Sequence, residues 1–127
     1  MALTISSFGY LHGAPPAATI IVDLREILRD PHISPQLRHM TANDPEVQAT
    51  VWRTPGAMAL LGNLGALAVT LIEQAAYTGK PTSIAIGCAG GRHRAATVAM
   101  ELHRRLIATG YPADLHHRDL HRPVVER

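Results

Sequence analysis

Four short apolar runs alternate along the chain with segments of helical periodicity. Residues 19–22 (Thr-Ile-Ile-Val) and 82–86 (Thr-Ser-Ile-Ala-Ile) are compact runs of the kind found in strands buried on both faces. Residues 3–7 and 113–117 are shorter candidates near the two ends of the chain. The pattern therefore predicts four short strands.

Helical spacing fills most of the remaining chain. Residues 46–77 read as helical with one interruption at residues 54–56, and residues 94–108 read as a further helix. Gly79 supplies a helix C-cap and Pro81 a stop, whereas residues 29–45 hold three prolines and predict an ordered loop. The apolar positions of these helices recur every three or four residues: Met58, Leu61, Leu64, Leu67, Leu71 and Ala75 in the first, then Val98, Leu102 and Leu106 in the second.

The order of the predicted elements indicates the fold class. Strands that alternate with long helices are typical of an α/β domain, here a single domain over residues 1–127 with a short, mostly parallel sheet flanked by helices. In open α/β sheets, ligands bind at the carboxyl ends of the strands. Polar residues follow the predicted strands at these places, namely Asp23 and Arg25, residues 87–94, and His117 with Arg118. We therefore expect them to gather at one edge.

The composition of the chain indicates its class and its cellular compartment. Of the 127 residues 46% are hydrophobic and 17% charged, which is typical of a globular chain. Cys88 is the single cysteine, so no intramolecular disulfide forms, and no signal peptide is visible. The longest apolar stretch, residues 57–68, is interrupted by Gly62, Asn63 and Gly65, and we expect it to be too short to cross a membrane. These features predict a cytoplasmic protein without a membrane partner.

The positive charge is concentrated in the last third of the chain. Residues 92–127 hold seven arginines against four acidic residues, although the net charge of the whole chain is only +2. A solvated basic helix and tail is one interpretation. A second is an RNA-binding module that works as a homo-oligomer, with Arg104, Arg105, Arg118 and Arg122 contacting phosphates.

The segment Gly-Cys-Ala-Gly-Gly-Arg-His-Arg at residues 87–94 is the clearest candidate for a binding site. It joins a predicted strand to a helix, where glycine backbone N–H groups and the positive end of the helix dipole favour an anion. Arginine side chains next to them grip phosphate oxygens. The pattern predicts a site for a phosphorylated small molecule formed by Cys88, Ala89, Gly90, Gly91, Arg92, His93 and Arg94, with Asp23, Arg25, His117 and Arg118 at the same edge of the sheet. A tight turn with surface arginines is the simpler alternative.

An enzymatic alternative overlaps the same segment. Cys88 and Arg94 have the Cys-x5-Arg spacing of cysteine-dependent phosphatases, in which a thiolate attacks phosphorus, and Asp23 is a candidate general acid. Against this, Ala95 follows Arg94 where that class uses Ser or Thr, and Gly87 precedes Cys88 where it uses His. A small buried apolar cysteine is the favoured interpretation, and we expect no enzyme activity.

Other candidate residues point to no cofactor. His116, His117 and His121 lack the spacing of a structural metal site, so the sequence predicts neither a metal nor a cofactor. Trp52 and Met58 are interpreted as core residues.

Five separated motifs occur together in this chain. They are Ser7-Phe8-Gly9-Tyr10, Val22-Asp23-Leu24-Arg25, the Pro-His, Leu-Arg and Met-Thr pairs within residues 31–41, residues 85–94, and His117-Arg118-Asp119-Leu120. With these five motifs in this order, the chain resembles the C-terminal domain of the RNase adaptor protein RapZ (YvcJ-type) family over nearly its whole length.

This resemblance implies a fold similar to a phosphofructokinase subdomain. It also implies a pocket that senses glucosamine-6-phosphate, a contribution to small-RNA binding and homo-oligomer formation. The family's pocket positions correspond to His32, Cys88, Ala89, Gly90, Gly91, His93 and Arg94. Ala89 and Ala95 stand where the family usually has Thr and Ser, which removes two hydroxyl donors. The family's full-length form also carries a kinase-like domain with a Walker motif; this chain has no such motif, so we expect a stand-alone domain without ATP hydrolysis.

Overall fold

A parallel four-stranded sheet forms the centre of the molecule. The computed structural model describes residues 2–127 and places strands at Leu3–Gly9 (β1), Ile20–Asp23 (β2), Thr82–Cys88 (β3) and Asp114–His117 (β4). Their order across the sheet is β2-β3-β1-β4, and every neighbouring pair is parallel. The predicted α/β class with a parallel sheet is therefore confirmed.

Three helices flank this sheet. They run over Pro45–Trp52 (α1), Ala57–Thr78 (α2) and Arg94–Ala108 (α3), with short 3-10 turns at Tyr10–His12 and Pro31–Ile33. The predicted interruption between α1 and α2 is confirmed, because Gly56 takes a left-handed conformation just before α2. Gly79 caps α2 as predicted and donates its N–H to the Ala75 carbonyl. The bounds of α3 are those predicted from its apolar spacing.

One expectation about α2 is wrong, and it concerns Met58. Gly62, Asn63 and Gly65 lie inside one continuous helix of 22 residues, which is long and apolar enough, by length and composition alone, to cross a membrane. The helix instead packs one face, including Leu61, Leu64, Ala68 and Leu71, into the core of the domain. Met58 lies off that face and is 52% exposed, so it is not a core residue.

The expectation for β2 is also wrong. Its apolar run predicted a strand buried on both faces, but β2 is the edge strand and Ile21 is 47% exposed. In β3, by contrast, every residue from Ile84 to Cys88 is buried, because β3 lies between two other strands. Which of two similar runs becomes central depends on strand order, a property of the whole fold.

Aliphatic side chains build the core, as the scarcity of aromatic residues requires. Leu3 and Ile5 of β1 and Ile84 and Ile86 of β3 are fully buried. Helices α2 and α3 cover this region, and each fully buried aliphatic side chain stabilises the fold by roughly 1.5–3 kcal/mol. Trp52 is partly buried against the same cluster, as expected.

Glycine contacts bring the end of β1 against the loop that follows β3. A Cβ atom added to Gly9 would lie 2.4 Å from the Gly90 carbonyl carbon and 2.7 Å from the Gly91 nitrogen. Gly91 has φ +78°, a conformation that favours glycine. The loop after β3 therefore rests directly on the backbone of β1.

Gly9→Ala tests this contact. The added methyl group has to displace backbone atoms, so we expect the free energy of unfolding to fall by about 1–3 kcal/mol or more. Gly62→Ala in α2 is the control, because nothing lies within 4 Å of the added carbon and Ala favours a helix by about 1 kcal/mol. Urea unfolding of both variants measures the difference; equal stabilities would contradict the packing described.

Candidate functional site

The glycine-rich segment lies at the middle of the carboxyl edge of the sheet. It leaves the inner strand β3 at Cys88 and enters α3 at Arg94. Neighbouring segments tether it from two sides: the Leu11 N–H donates to the Ala89 carbonyl, and the Ala42 N–H donates to the Arg92 carbonyl. The predicted gathering of polar residues at one edge thus centres on a loop held in place by backbone hydrogen bonds.

Cys88 points into the protein. Its thiol is 2% exposed, and its Sγ accepts N–H groups from Gly91 at 3.3 Å and Ala95 at 3.4 Å. The Gly91 amide is therefore directed at this sulfur. A nucleophile needs access to its substrate. The geometry accordingly favours the buried, structural interpretation of Cys88.

Arg94 is buried, and both terminal nitrogens of its guanidinium are paired within the protein. Its Nη1 donates to the carbonyl oxygens of Leu24 and Arg25, and its Nη2 pairs with Asp30 Oδ2 at 3.1 Å. The side chain is only 3% exposed, and within residues 2–127 its Nε is buried without a hydrogen-bond partner. Arg94 thus joins the start of α3 to the loop after β2.

Asp30 is the anionic centre of this region. Its Oδ2 also accepts Arg127 Nη1 at 2.5 Å, and its Oδ1 accepts the His32 backbone N–H at 3.0 Å. Burial alone raises the pKa of Asp30, but the Arg127 hydrogen bond and the charge of Arg94 outweigh burial and lower it. The carboxylate is held ionised between two guanidinium groups. Sequence reasoning did not single out Asp30; an acid next to Pro31-His32 was the available signal.

Arg92 and His93 bind backbone carbonyl groups. Arg92 donates to the His39 carbonyl at 2.6 Å and to the Arg122 carbonyl at 2.8 Å. His93 Nε2 donates to the Met40 carbonyl at 2.9 Å. Burial lowers the pKa of the His93 imidazole, and the bond to Met40 offsets part of that shift. Both side chains hold distant segments against the loop.

An exposed aromatic and ionic cluster lies beside the loop. Arg25 forms a two-pronged ion pair with Asp23, with Nη2 2.8 Å from Oδ2 and Nε 3.1 Å from Oδ1. Its guanidinium also stacks 3.7 Å from the centre of the Tyr10 ring. The Arg25 hydrogen bond lowers the pKa of Asp23. Asp23 and Arg25 are thus partners of each other.

His117 and Arg118 occupy the β4 side of the edge. Ser7 Oγ lies 2.5 Å from His117 Nδ1, and Arg118 donates to the Ala14 carbonyl at 2.6 Å and to Asp119. Asp119 is fully buried and accepts the Gly9 N–H at 2.7 Å. These residues brace the segment after β1. Asp119 was not predicted as a site residue, although a charge directly after the last strand was a signal.

Two cavities are connected by the Arg127–Asp30 ion pair, because Arg127 lines the first and Asp30 lines the second. The first, called the loop pocket, has a volume of about 10 Å³, roughly one water. It is lined by His32, Arg38, Gly90, Arg92, His93 and the tail residues Val124, Val125 and Arg127. The second, called the arginine groove, measures about 540 Å³ and includes Arg25, Arg29, Asp30 and Arg94 in its walls. The tail was missing from the predicted site, because only tertiary contact brings it there.

The four arginines predicted to contact RNA do not form one free surface. Arg104 and Arg105 both pair with Glu101, at 2.6 and 3.2 Å. Arg118 and Arg122 both pair with Asp119. The two acidic side chains therefore neutralise half of the positive charge of these four arginines.

Within residues 2–127, no group of three or more His, Cys, Asp or Glu side chains is arranged to hold a metal ion.

The fold and this junction define a class of protein: a parallel α/β domain with a glycine-rich basic loop between an inner strand and the following helix. A family model described as the RapZ C-terminal domain matches residues 1–121. The chain belongs to this family, which confirms the resemblance inferred from the five motifs.

Curated relatives agree with this assignment. A nucleotide-binding protein of Rhodospirillum rubrum is 40% identical over 121 residues, which cover 94% of this chain and 38% of that protein. A nucleotide-binding protein of Limosilactobacillus reuteri is 38% identical over 117 residues, covering 91% and 40%. One from Frankia alni is 40% identical over 120 residues, covering 94% and 41%. The chain thus spans about two fifths of the length of these relatives.

Three wholly or partly buried histidines predict a pH dependence of stability. Burial lowers the pKa of His32, His93 and His117. The unfolded chain then binds protons more readily than the folded chain, so stability decreases as pH falls through about 6.5. Between pH 7.5 and 5.5, we expect the free energy of unfolding to fall less steeply in His93→Gln than in the wild type. His39→Gln, at an exposed position, should show the same pH dependence as the wild type. Equal slopes in both variants would contradict this assignment.

Proposed function

We propose that this chain is a regulatory domain that binds a phosphorylated metabolite at the loop between β3 and α3. One observation carries the proposal: the open side of Gly90 faces the Arg127 guanidinium, which lies 3.6 Å from the position of an added Cβ. His32 and His93 line the same loop pocket. A bare glycine backbone close to a helix start provides hydrogen-bond donors for a phosphate, and the Arg127 guanidinium occupies this place until a ligand displaces it.

In this proposal the tail covers the site. The loop pocket is too small for a phosphosugar while residues 124–127 line it, so the ligand displaces them. The Arg127–Asp30 ion pair connects a wall of the loop pocket with a wall of the arginine groove. Opening the pair makes room for the phosphate near Gly90 and for the rest of the ligand beside Arg25 and Arg94.

The charges around the site support a ligand that carries both signs. Arg25 and Arg94 suit a phosphate, whereas Asp23 and Asp30 suit an ammonium group. An amino-sugar phosphate such as glucosamine-6-phosphate has both groups. A nucleotide, which the names of the relatives suggest, has the phosphate without the ammonium group. Neither ligand requires the Cys88 thiol, whose burial disfavours the phosphatase alternative.

RNA binding is the less supported function. The pairing of Arg104 and Arg105 with one glutamate, and of Arg118 and Arg122 with one aspartate, leaves only half of their positive charge for a polyanion. We therefore place small-molecule binding first and expect any contact with small RNA to depend steeply on salt.

Gly90→Ala tests the site without disturbing the fold. Its methyl group meets only the flexible Arg127 side chain, so the unliganded variant keeps its unfolding temperature. In the wild type, glucosamine-6-phosphate at 100 times its dissociation constant stabilises by about 2.7 kcal/mol. We expect this thermal shift to disappear in Gly90→Ala, because the methyl group takes the place of a phosphate oxygen.

Gly65→Ala in α2 serves as the matched control and retains the shift, since nothing lies within 4 Å of its added carbon. Glucosamine, inorganic phosphate and ATP complete the ligand series. A full shift in Gly90→Ala would place the ligand elsewhere, and a wild type without any shift would contradict small-molecule binding.

Arg127→Ala tests whether the tail covers the proposed site. Loss of its ion pair with Asp30 frees the tail, so we expect glucosamine-6-phosphate to bind about twofold to fivefold more tightly in calorimetry. Arg105→Ala removes the same charge at the last turn of α3 and leaves affinity unchanged. Weaker binding by Arg127→Ala would show that the guanidinium contacts the ligand rather than excluding it.

A further inference from the structure

The strand β2 has apolar surface that a single chain leaves uncovered. It pairs with β3 on one side, and among residues 2–127 no strand lies on its other side. Ile21, in the middle of β2, is exposed. Ile20 and Val22 lie on the opposite face of the strand and are only partly buried against the core. Both faces of β2 therefore present apolar side chains that a neighbouring strand would cover.

The backbone of β2 also offers hydrogen-bonding groups on its free side. The Leu24 N–H donates to the Gly87 carbonyl of β3. Backbone groups alternate in direction along a strand, so the residues two and four positions earlier also bond to β3. Ile21 and Asp23 accordingly turn their N–H and C=O groups away from β3. An edge strand with such groups exposed is a template for a further strand.

The two edges of the sheet differ in how they resist such pairing. Natural edge strands commonly carry charged residues or proline, which discourage association. The other edge strand, β4, has the sequence Asp-Leu-His-His and is polar at three of its four positions. Residues 19–22 hold neither a charge nor a proline. Of the two edges, that of β2 is thus the one suited to association.

The residue pattern of β2 is complementary to itself. In an antiparallel pair related by a two-fold axis at Ile21, this residue lies opposite its own copy. Ile20 then lies opposite the partner's Val22, and Thr19 lies opposite the partner's Asp23. Apolar side chains meet apolar side chains, and no two like charges are opposed. An axis at Asp23 would instead oppose two carboxylates, so the pattern selects one register with a second copy of the same strand.

We propose that two copies of this chain associate through antiparallel pairing of their β2 strands, with Ile21 opposite the partner's Ile21. These two residues exchange backbone hydrogen bonds, and two four-stranded sheets become one continuous sheet. Because the interface uses the same surface on both copies, association stops at the dimer. The two carboxyl edges point in opposite directions, so each copy keeps its own site for a phosphorylated ligand.

Sedimentation velocity without any ligand measures this association. Between about 5 and 500 µM the wild type shifts from monomer towards dimer, as expected for a small interface. Ile21→Lys places two ammonium groups opposite each other and weakens the dimer at least about tenfold. Because Ile21 is exposed in the single chain, we expect this variant to remain folded, which urea unfolding checks.

Met58→Lys is the matched control. It introduces the same charge at a similarly exposed apolar side chain on α2, so we expect association as in the wild type. A wild type that stays monomeric at about 500 µM overturns the proposal. A dimer that Met58→Lys weakens and Ile21→Lys does not would place the interface on α2 and overturn it as well.

Cross-linking tests the register. Ile21→Cys adds one accessible thiol, because Cys88 is buried. A short bismaleimide joins two copies of this variant, since the Cα atoms of the paired residues lie about 5.5 Å apart in such a ladder. Ile107→Cys, at a similarly exposed position on α3, is the control and remains a single chain. Equal cross-linking of both variants would show that random collision, not strand pairing, brings the thiols together.

Discussion

The buried guanidinium of Arg94 organises the carboxyl edge of this sheet. It donates to the carbonyl groups of Leu24 and Arg25 and pairs with Asp30, so it connects α3 with the segment that leaves β2. A charge removed from water is tolerated only when it is paired and hydrogen-bonded, which places Asp30 close by. Asp30 in turn accepts the His32 backbone N–H and the Arg127 side chain. The position of the tail therefore follows from one buried cation.

In the proposed function, this arrangement links ligand binding to the shape of the domain. The cations that suit a phosphate are engaged with carbonyl and carboxylate oxygens of the protein itself, so an incoming anion competes with internal partners. Of the two cations that pair with Asp30, Arg127 is the more exposed, with 28% of its side chain accessible against 4% for Arg94. A metabolite that displaces the tail thereby changes the surface that the domain presents, which is the property expected of a regulatory domain.

Local patterns predicted the helices well and the sheet less well. The apolar spacing of α3 gave its bounds, and Gly79 marked the end of α2, because both depend on residues close in sequence. The same reasoning took the run in β2 for a central strand, although Ile21 is exposed at the sheet edge. The prediction that Met58 belongs to the core was wrong for a related reason. Met58 continues the apolar spacing of α2 but lies beyond the surface that the core covers.

Residue order and spacing are enough to predict the α/β class, the family and the glycine-rich loop at the strand–helix junction. The directions of the long basic side chains could be read only from the folded domain. Arginine and histidine side chains reach partners from segments far away in the chain: Arg92 reaches His39 and Arg122, and Arg94 reaches Asp30. Such partners are set by packing of the whole domain, so composition alone cannot distinguish a free cation from one already bound.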